Sequence, residues 1–568
     1  MHYFELNSLL SKINLESINS PFFRNIMKNN LLSGLTVGII ALPLSMALAI
    51  ATGVPPQLGL YTAIIAGVFA AIFGSSKINI SGPTAAFVVI LIPIVQEFGV
   101  TGLLLCGLLS GVILIFIGVL KLGTLIELIP YPVTVGFTSG IAVVIATFQI
   151  KDFFGLSIEN FNGSYLDKIY LIFTSFHTIN FSEFSIGLLT LFLLILWQKT
   201  KSKIPSALIA LTITTIIVAF LNIYVPNANI STIASTFSYQ IGDLQGNGIP
   251  PIPLQFSLPW AHLELQEINL ELIYKLLPHA IAIAILGALE SLLCAVISDG
   301  MTGNKTNPNK ELIGQGITNI IVPFFGGIPA TAAIARTVVN IKSGATSKLS
   351  SIIHALFVLV SITFLSTYLS YLPMASLSAL LLVVAWNMSE VKHFRNIIQV
   401  APKDDVYVLL TCFSLTVLFD MQIAVAVGIG LASILFIKRT IDLYSIELIN
   451  TENLTTHPDI PENISIYDIN GPMFFGAAQN ALKTLLNTNE DTNTVILNMQ
   501  NVSMIDMTAI VALKSIVENF ESKEKKLIFC GLNERIIKKL EKANFNLNKE
   551  NLNSFKSLEE SIFYAKKL

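Results

Sequence analysis

Pro83 and Pro329 lie 246 residues apart inside two strongly apolar stretches, each among small residues: Ser81-Gly82-Pro83-Thr84-Ala85-Ala86 and Gly327-Ile328-Pro329-Ala330-Thr331-Ala332-Ala333. A Gly/Pro interruption frees backbone polar groups, which in lipid must be re-satisfied by neighbouring protein or by a water-lined cavity. Two interruptions at matching places in two halves predict a duplicated membrane fold with its binding site near the bilayer midplane. The same offset carries Pro43-Leu44-Ser45 onto Leu289-Glu290-Ser291.

The rest of the chain agrees with a membrane setting. Of its 568 residues 53% are hydrophobic and 12% charged, against about 25% charged in a typical soluble domain. About 20 apolar residues span a bilayer, and fourteen such segments are legible, some short or broken: near 32–51, 59–74, 82–98, 101–120, 124–147, 184–197, 204–222, 276–297, 313–325, 328–341, 349–370, 373–388, 404–419 and 421–437. Residues 1–30 are polar and lack the apolar core of a cleavable signal, so they are expected to form a cytoplasmic amino-terminal segment. With that start, the expected inner segments hold sixteen Lys and Arg residues and the outer loops three, Lys151, Lys168 and Lys275. That is the positive-inside bias of an inner-membrane protein.

Periodicity changes after Arg439. The expected organisation is a transmembrane domain over 31–439, a polar linker over 440–462 and a soluble, cytoplasmic α/β domain over 463–568. Strands are expected at Ile464–Ile469, Thr494–Asn498 and Lys526–Cys530, and helices at Ala477–Leu486, Met507–Phe520 and Glu534–Lys542. The four cysteines, Cys106, Cys294, Cys412 and Cys530, show no ligand spacing and are expected to form neither disulfides nor a metal site. A phosphate-binding loop, a zinc helix and a nucleophile triad are all missing from the sequence. The pattern is that of a carrier without a cofactor, not of an enzyme, and nothing in it points to nucleic acid.

Three segments, 36–67, 298–347 and 402–429, closely resemble the SulP family of anion transporters, the bacterial relatives of the SLC26 carriers, and the tail resembles their STAS domain. Within the family, LLVVAWNMSE (381–390) is similar to the proton-coupled C4-dicarboxylate carriers of enteric bacteria. The resemblance implies seven plus seven inverted transmembrane segments, a core domain moving against a gate domain, usually a homodimer, and a STAS domain that can bind a cytosolic protein. It also implies that the third and tenth segments are half-helices facing each other across the substrate.

On that footing the anion site is placed at Ser81, Gly82, Thr84, Ala85, Ala86, Gly327, Ala330, Thr331 and Ala332. Helices starting at Pro83 and Pro329 would present free N–H groups and the positive end of a dipole, small residues would admit the anion, and the hydroxyls of Thr84 and Thr331 could donate to it. The competing explanation for either motif alone is a kink packed by small residues. Arg336 is carried over as a positive centre near the anion, against a purely structural pairing with Glu290 or with backbone carbonyls. Glu290, on an otherwise uncharged span, is the candidate proton-coupling group; related bicarbonate carriers use an acidic residue on this segment for sodium. The expected function is proton-coupled uptake of C4-dicarboxylates such as succinate, fumarate or aspartate, with sulfate and bicarbonate next. A different class, a membrane-anchored STAS platform for cytosolic partners, also fits the domain order. Asp506, opening a helix in the tail beside Thr508, is expected to be a helix cap rather than the neighbour of a phosphorylated hydroxyl.

Overall fold

The computed structural model describes residues 21–126, 129–200, 202, 204–225, 228–241, 244–251, 254–261, 269–419, 421–442, 444–449, 460–461, 463–474, 478, 481, 483–485, 492–545 and 552–568. They form two compact units divided after Ile429.

The first unit opens with α1 (Pro21–Thr52) and α2 (Pro56–Phe73), then an extended segment ending in a two-residue strand, β1 (Ser81–Gly82), which leads into α3 (Ala85–Val119). The third and fourth expected spans are both in α3. Gly99, at φ 66, divides them, a conformation that glycine adopts at no steric cost. After a single turn, α4 (Gly123–Ile126), the fifth span is α5 (Tyr131–Phe154). It starts seven residues later than 124–147 implies, because Pro130 and Pro132 flank its first residue and fix the helix start there. A short α6 (Tyr165–Thr174) precedes α7 (Phe181–Lys199) and α8 (Ser206–Tyr224); then come α9 (Ile233–Thr236) and a hairpin of β2 (Ser238–Ile241) and β3 (Leu244–Asn247).

The second half repeats the plan. α10 (Leu270–Thr302) and α11 (Pro308–Ile321) lead through a 3-10 turn to β4 (Thr331–Ala332) and the nine-residue α12 (Ile334–Lys342). α13 (Leu349–Ser370), α14 (Met374–Met388), a surface helix α15 (Val391–Val400), α16 (Lys403–Leu418) and α17 (Met421–Asp442) complete it. Ten described helical segments are long and apolar enough to cross a membrane, and α11, α12 and α16 are the short or broken spans.

Packing sorts these helices into two groups. α1, α2, α3, α10, α11, α12 and α13 pack on one another, while α5 packs on α14 and α16, and α7 on α8 and α14. Within the first group α3 and α11 meet backbone to backbone: a methyl on Gly111 would lie 2.6 Å from the Gly316 carbonyl, and one on Gly316 2.7 Å from that of Gly111. Small residues permit this approach. At one end of the same group the buried Glu311 carboxylate accepts hydrogen bonds from the backbone N–H groups of Ser75 (2.6 Å) and Ser76 (2.8 Å) and from Asn79 Nδ2 (3.3 Å). It pins the extended segment that delivers β1. Asp299 likewise holds its own loop through Thr306 N (2.6 Å) and Oγ1 (2.9 Å).

The second unit contains a five-stranded sheet ordered β5 (Ser445–Leu448), β6 (Ile464–Asn470), β7 (Thr494–Asn501), β8 (Lys526–Cys530) and β9 (Leu552–Phe555). β5 is antiparallel to β6 and the others are parallel. The stretch 440–462 thus supplies the last turn of α17 and an edge strand as well as a connection. Alternation along the strands feeds two cores. Tyr467, Val495, Leu497 and Phe529 pack with α18 (Met507–Ser522) and α19 (Glu534–Lys542) on one face, and Ile466, Ile496 and Ile528 with α20 (Leu558–Ala565) on the other. Burial on both faces explains why β7 reads as a nearly continuous apolar run. Half of the helix expected at Ala477–Leu486 lies outside the described residues; the five that are described are helical. Asp506 caps α18, accepting from Ala509 N at 2.8 Å.

Candidate functional site

The two interrupted segments meet. β1 and β4 pair antiparallel, Ser81 opposite Ala332 and Gly82 opposite Thr331, and Ala333 N extends the ladder to the Ile80 carbonyl at 2.8 Å. Freed backbone groups of the two breaks therefore satisfy each other. Helices leave this crossing through α3 and α12, whose N-cap residues are Thr84 and Ala333 and which have no side-chain cap. The helix starts differ from the expected Pro83 and Pro329: both prolines lie outside the helices, which begin two and five residues later, at Ala85 and Ile334. Uncapped first-turn N–H groups and the positive dipole end form the usual helix-terminal surface for an anion.

Arg336 belongs to the first turn of α12, is 2% exposed, and reaches across to β1, where Nη2 donates to the Pro83 carbonyl. Its Nε and Nη1 have no hydrogen-bond partner among the described residues. A methyl on Gly82 would sit 2.7 Å from Nη1, so the guanidinium lies against bare backbone. Arg336 and Glu290 are not within ion-pair distance of each other. Instead the partly exposed Glu290 accepts from Thr84 Oγ1 at 2.8 Å. Cation, carboxylate and both helix starts thus converge without neutralising one another directly.

Polar side chains behind β4 hold it rigidly. Ala332 N donates to Ser291 Oγ (3.3 Å), Ser291 and Thr331 share a hydroxyl contact at 2.8 Å, and Thr331 Oγ1 donates to the Gly287 carbonyl (3.1 Å). Thr331 therefore spends its hydroxyl on α10, whereas that of Thr84 is spent on Glu290. Asn319 clamps Ala330 from both sides, Nδ2 to its carbonyl (2.9 Å) and Oδ1 from its N–H (2.8 Å), and Gln315 Nε2 adds a second donor to that carbonyl (2.7 Å). Ser81 Oγ donates to Gln315 Oε1 at 3.3 Å. Gly327 packs against Thr62, whose hydroxyl receives Ile328 N at 2.7 Å. Ala85, Ala86 and Ala332 are buried beside these groups.

Sequence reasoning does not single out Ser291, Gln315, Asn319 or Thr62. The 246-residue offset does contain the signal for Ser291 and its counterpart Ser45, which is also fully buried and whose Oγ has no hydrogen-bond partner among the described residues. Gln315 and Asn319, four apart on one face of α11, have no such marker. His354 is fully buried beside Gly67.

An inverted pair of broken spans around a buried guanidinium, with a separate α/β unit, defines a multi-pass membrane protein of the SLC26-like fold. Residues 27–411 match the sulfate permease family and 454–561 the STAS domain. The chain belongs to the sulfate permease family. It is 39% identical over 510 residues to YvdB of Bacillus subtilis (strain 168), provisionally named a sulfate transporter, covering 89% of this chain and 91% of that protein. It is 29% identical to the bicarbonate transporter BicA of Picosynechococcus sp., covering 93% and 92%. Among solved structures, the transmembrane domain of a cyanobacterial BicA aligns with TM-score 0.60 at 27% identity, over 70% of this chain and 97% of that one. SLC26A9 aligns with TM-score 0.82 over 96% and 91%, and at 17% identity this is a likeness of fold.

Proposed function

We propose that this protein is a secondary transporter that carries a small dianion across the cell inner membrane, with the anion held between the α3 and α12 helix starts and Arg336. The observation that supports it is the buried guanidinium with Nε and Nη1 unspent. Two helix ends, each equivalent to roughly half an elementary charge, balance one negative charge; Arg336 supplies the balance for a second. Glu290, joined to the same centre through Thr84, is the group proposed to carry a coupling proton. In the resembled carriers the core group of helices moves against the gate group, and the same elevator-like step is proposed here. The STAS unit is proposed to lie in the cytoplasm, where a protein partner can reach it, and the assembly to be a homodimer.

Of the dianions, C4-dicarboxylates are supported by the resemblance over 381–390 and sulfate by the name of the Bacillus subtilis relative; the BicA relative brings bicarbonate as a monoanionic competitor. The test is uptake of labelled succinate, sulfate and bicarbonate by the purified protein in proteoliposomes, with proton and sodium gradients imposed separately. Saturable succinate or sulfate uptake driven by an inward proton gradient is expected. Sodium-driven bicarbonate uptake alone would overturn both substrate and coupling.

A further inference from the structure

Two adjoining cavities lie away from the anion centre, at the ends of α1 and α5 and beside the Gly99 break of α3, expected to face outward. One, of about 390 Å³, is lined by parts of α1, α3, α5 and α6; the other, of about 350 Å³, extends towards α16 and α17. Ile92, Gln96, Phe148 and Lys168 line both. Of the three basic residues expected on the outer side, two, Lys151 and Lys168, face the first cavity.

Lys168 is only 4% exposed. Its ammonium rests on aromatic faces, 4.7 Å from the Phe148 centroid and 5.8 Å from that of Phe161, and has neither a hydrogen-bond acceptor nor a carboxylate within ion-pair distance among the described residues. Cation–π contact attracts the ammonium but leaves its three donors unspent. Burial pushes its pKa below the usual lysine value, a cost that a bound anion would offset. Gln149, 5% exposed, lines the same cavity, and its side-chain amide has no hydrogen-bond partner among the described residues. Gln96 Nε2 donates to the Phe161 carbonyl at 3.4 Å. Asp152 opposes the lysines from the same wall, so the lining charge is two cations against one carboxylate.

We infer that this chamber is an outer staging site for a small carboxylate or oxyanion, held by Lys168 with Lys151 and Gln149, before it reaches the central site. The inference rests on the anion-transport reading above. A weak net positive charge suits transient binding, because it raises local anion concentration without trapping the ion, and such focusing falls with ionic strength. Asp152 offsets part of that positive charge.

The test uses the full chain in proteoliposomes of known orientation, with labelled sulfate and succinate. Lys168→Met should lower uptake from the outer side at subsaturating substrate by about tenfold and flatten its salt dependence, with the KM for efflux from the inner side unchanged. Lys168→Arg should restore uptake, and Asp152→Asn should raise it at low substrate. An equal rise of KM for uptake and for efflux in Lys168→Met, or a loss in Asp152→Asn, would overturn the inference. A transport-independent arm keeps the two readings apart: in the wild-type protein, sulfate or succinate should slow acylation of Lys168, read by mass spectrometry, against isethionate at equal ionic strength. Protection without transport of any anion would sink the transport reading and keep the site; no protection sinks the site.

Discussion

Gly82 and Arg336 approach so closely that no side-chain carbon fits between them: a methyl on Gly82 would lie 2.7 Å from Nη1 and 3.3 Å from Nη2. The backbone of one repeat thus seats the charge of the other. Gly82→Ala is expected to displace the guanidinium and lower substrate uptake by on the order of 10- to 100-fold, as small misplacements of a working group do. Size-exclusion profiles should stay monodisperse. Uptake at the wild-type rate would show that Arg336 tolerates another position.

Arg336→Gln should weaken a dianion more than a monoanion. Loss of a charge-assisted hydrogen bond, about 1.5–3 kcal/mol, corresponds to roughly 10- to 100-fold in affinity. Succinate, sulfate and bicarbonate binding at one pH, corrected for substrate protonation, would read it. Equal loss for all three would mean that the guanidinium, through the Pro83 carbonyl, serves mainly to hold the crossing together.

Glu290→Gln keeps an acceptor for the Thr84 hydroxyl but cannot take up or release a proton. Downhill substrate exchange is expected to persist while uphill accumulation driven by a pH gradient disappears. Accumulation by this variant would place the coupling proton on another group.

Thr331→Val tests rigidity behind the site. It removes one of the two partners of the Ser291 hydroxyl and leaves the Gly287 carbonyl without this donor, at a cost of about 1–3 kcal/mol for buried polar groups. A lowered Tm is expected, with the effect on KM secondary because the hydroxyl already points into α10. A raised KM at unchanged Tm would instead place the Thr331 hydroxyl on the substrate.

In the second unit, Asp506→Ala removes the acceptor for Ala509 N and should cost about 1 kcal/mol. Faster amide exchange confined to the first turn of α18 is the expected signature, and unchanged exchange there would show that the cap does not hold that turn.

Much of this architecture is legible in the sequence because lipid imposes it. A span needs a run of apolar residues wherever it lies, so all fourteen segments show, and Pro83 and Pro329 stand out because a break in such a run has few tolerated explanations. The strands at Ile464, Thr494 and Lys526 show for a similar reason, since burial on both faces demands continuous β-branched and apolar residues. The edge strands β5 and β9, less buried and more polar, carry no such mark.

Local sequence could not decide the details of the centre. Prolines favour the first turn of a helix, yet Pro83 and Pro329 stay outside the helices beside a chain that pairs with its own repeat, Ser81 with Ala332 and Gly82 with Thr331, across most of the transmembrane sequence. For the same reason Arg336 could be recognised as a buried charge, while its resting place on the Pro83 carbonyl and the bare Gly82 backbone was fixed only by the antiparallel crossing. Hydrophobic pattern and backbone chemistry determine which segments enter the membrane and where they break; which donors are spent and which remain for a ligand depends on groups brought together only in the tertiary fold.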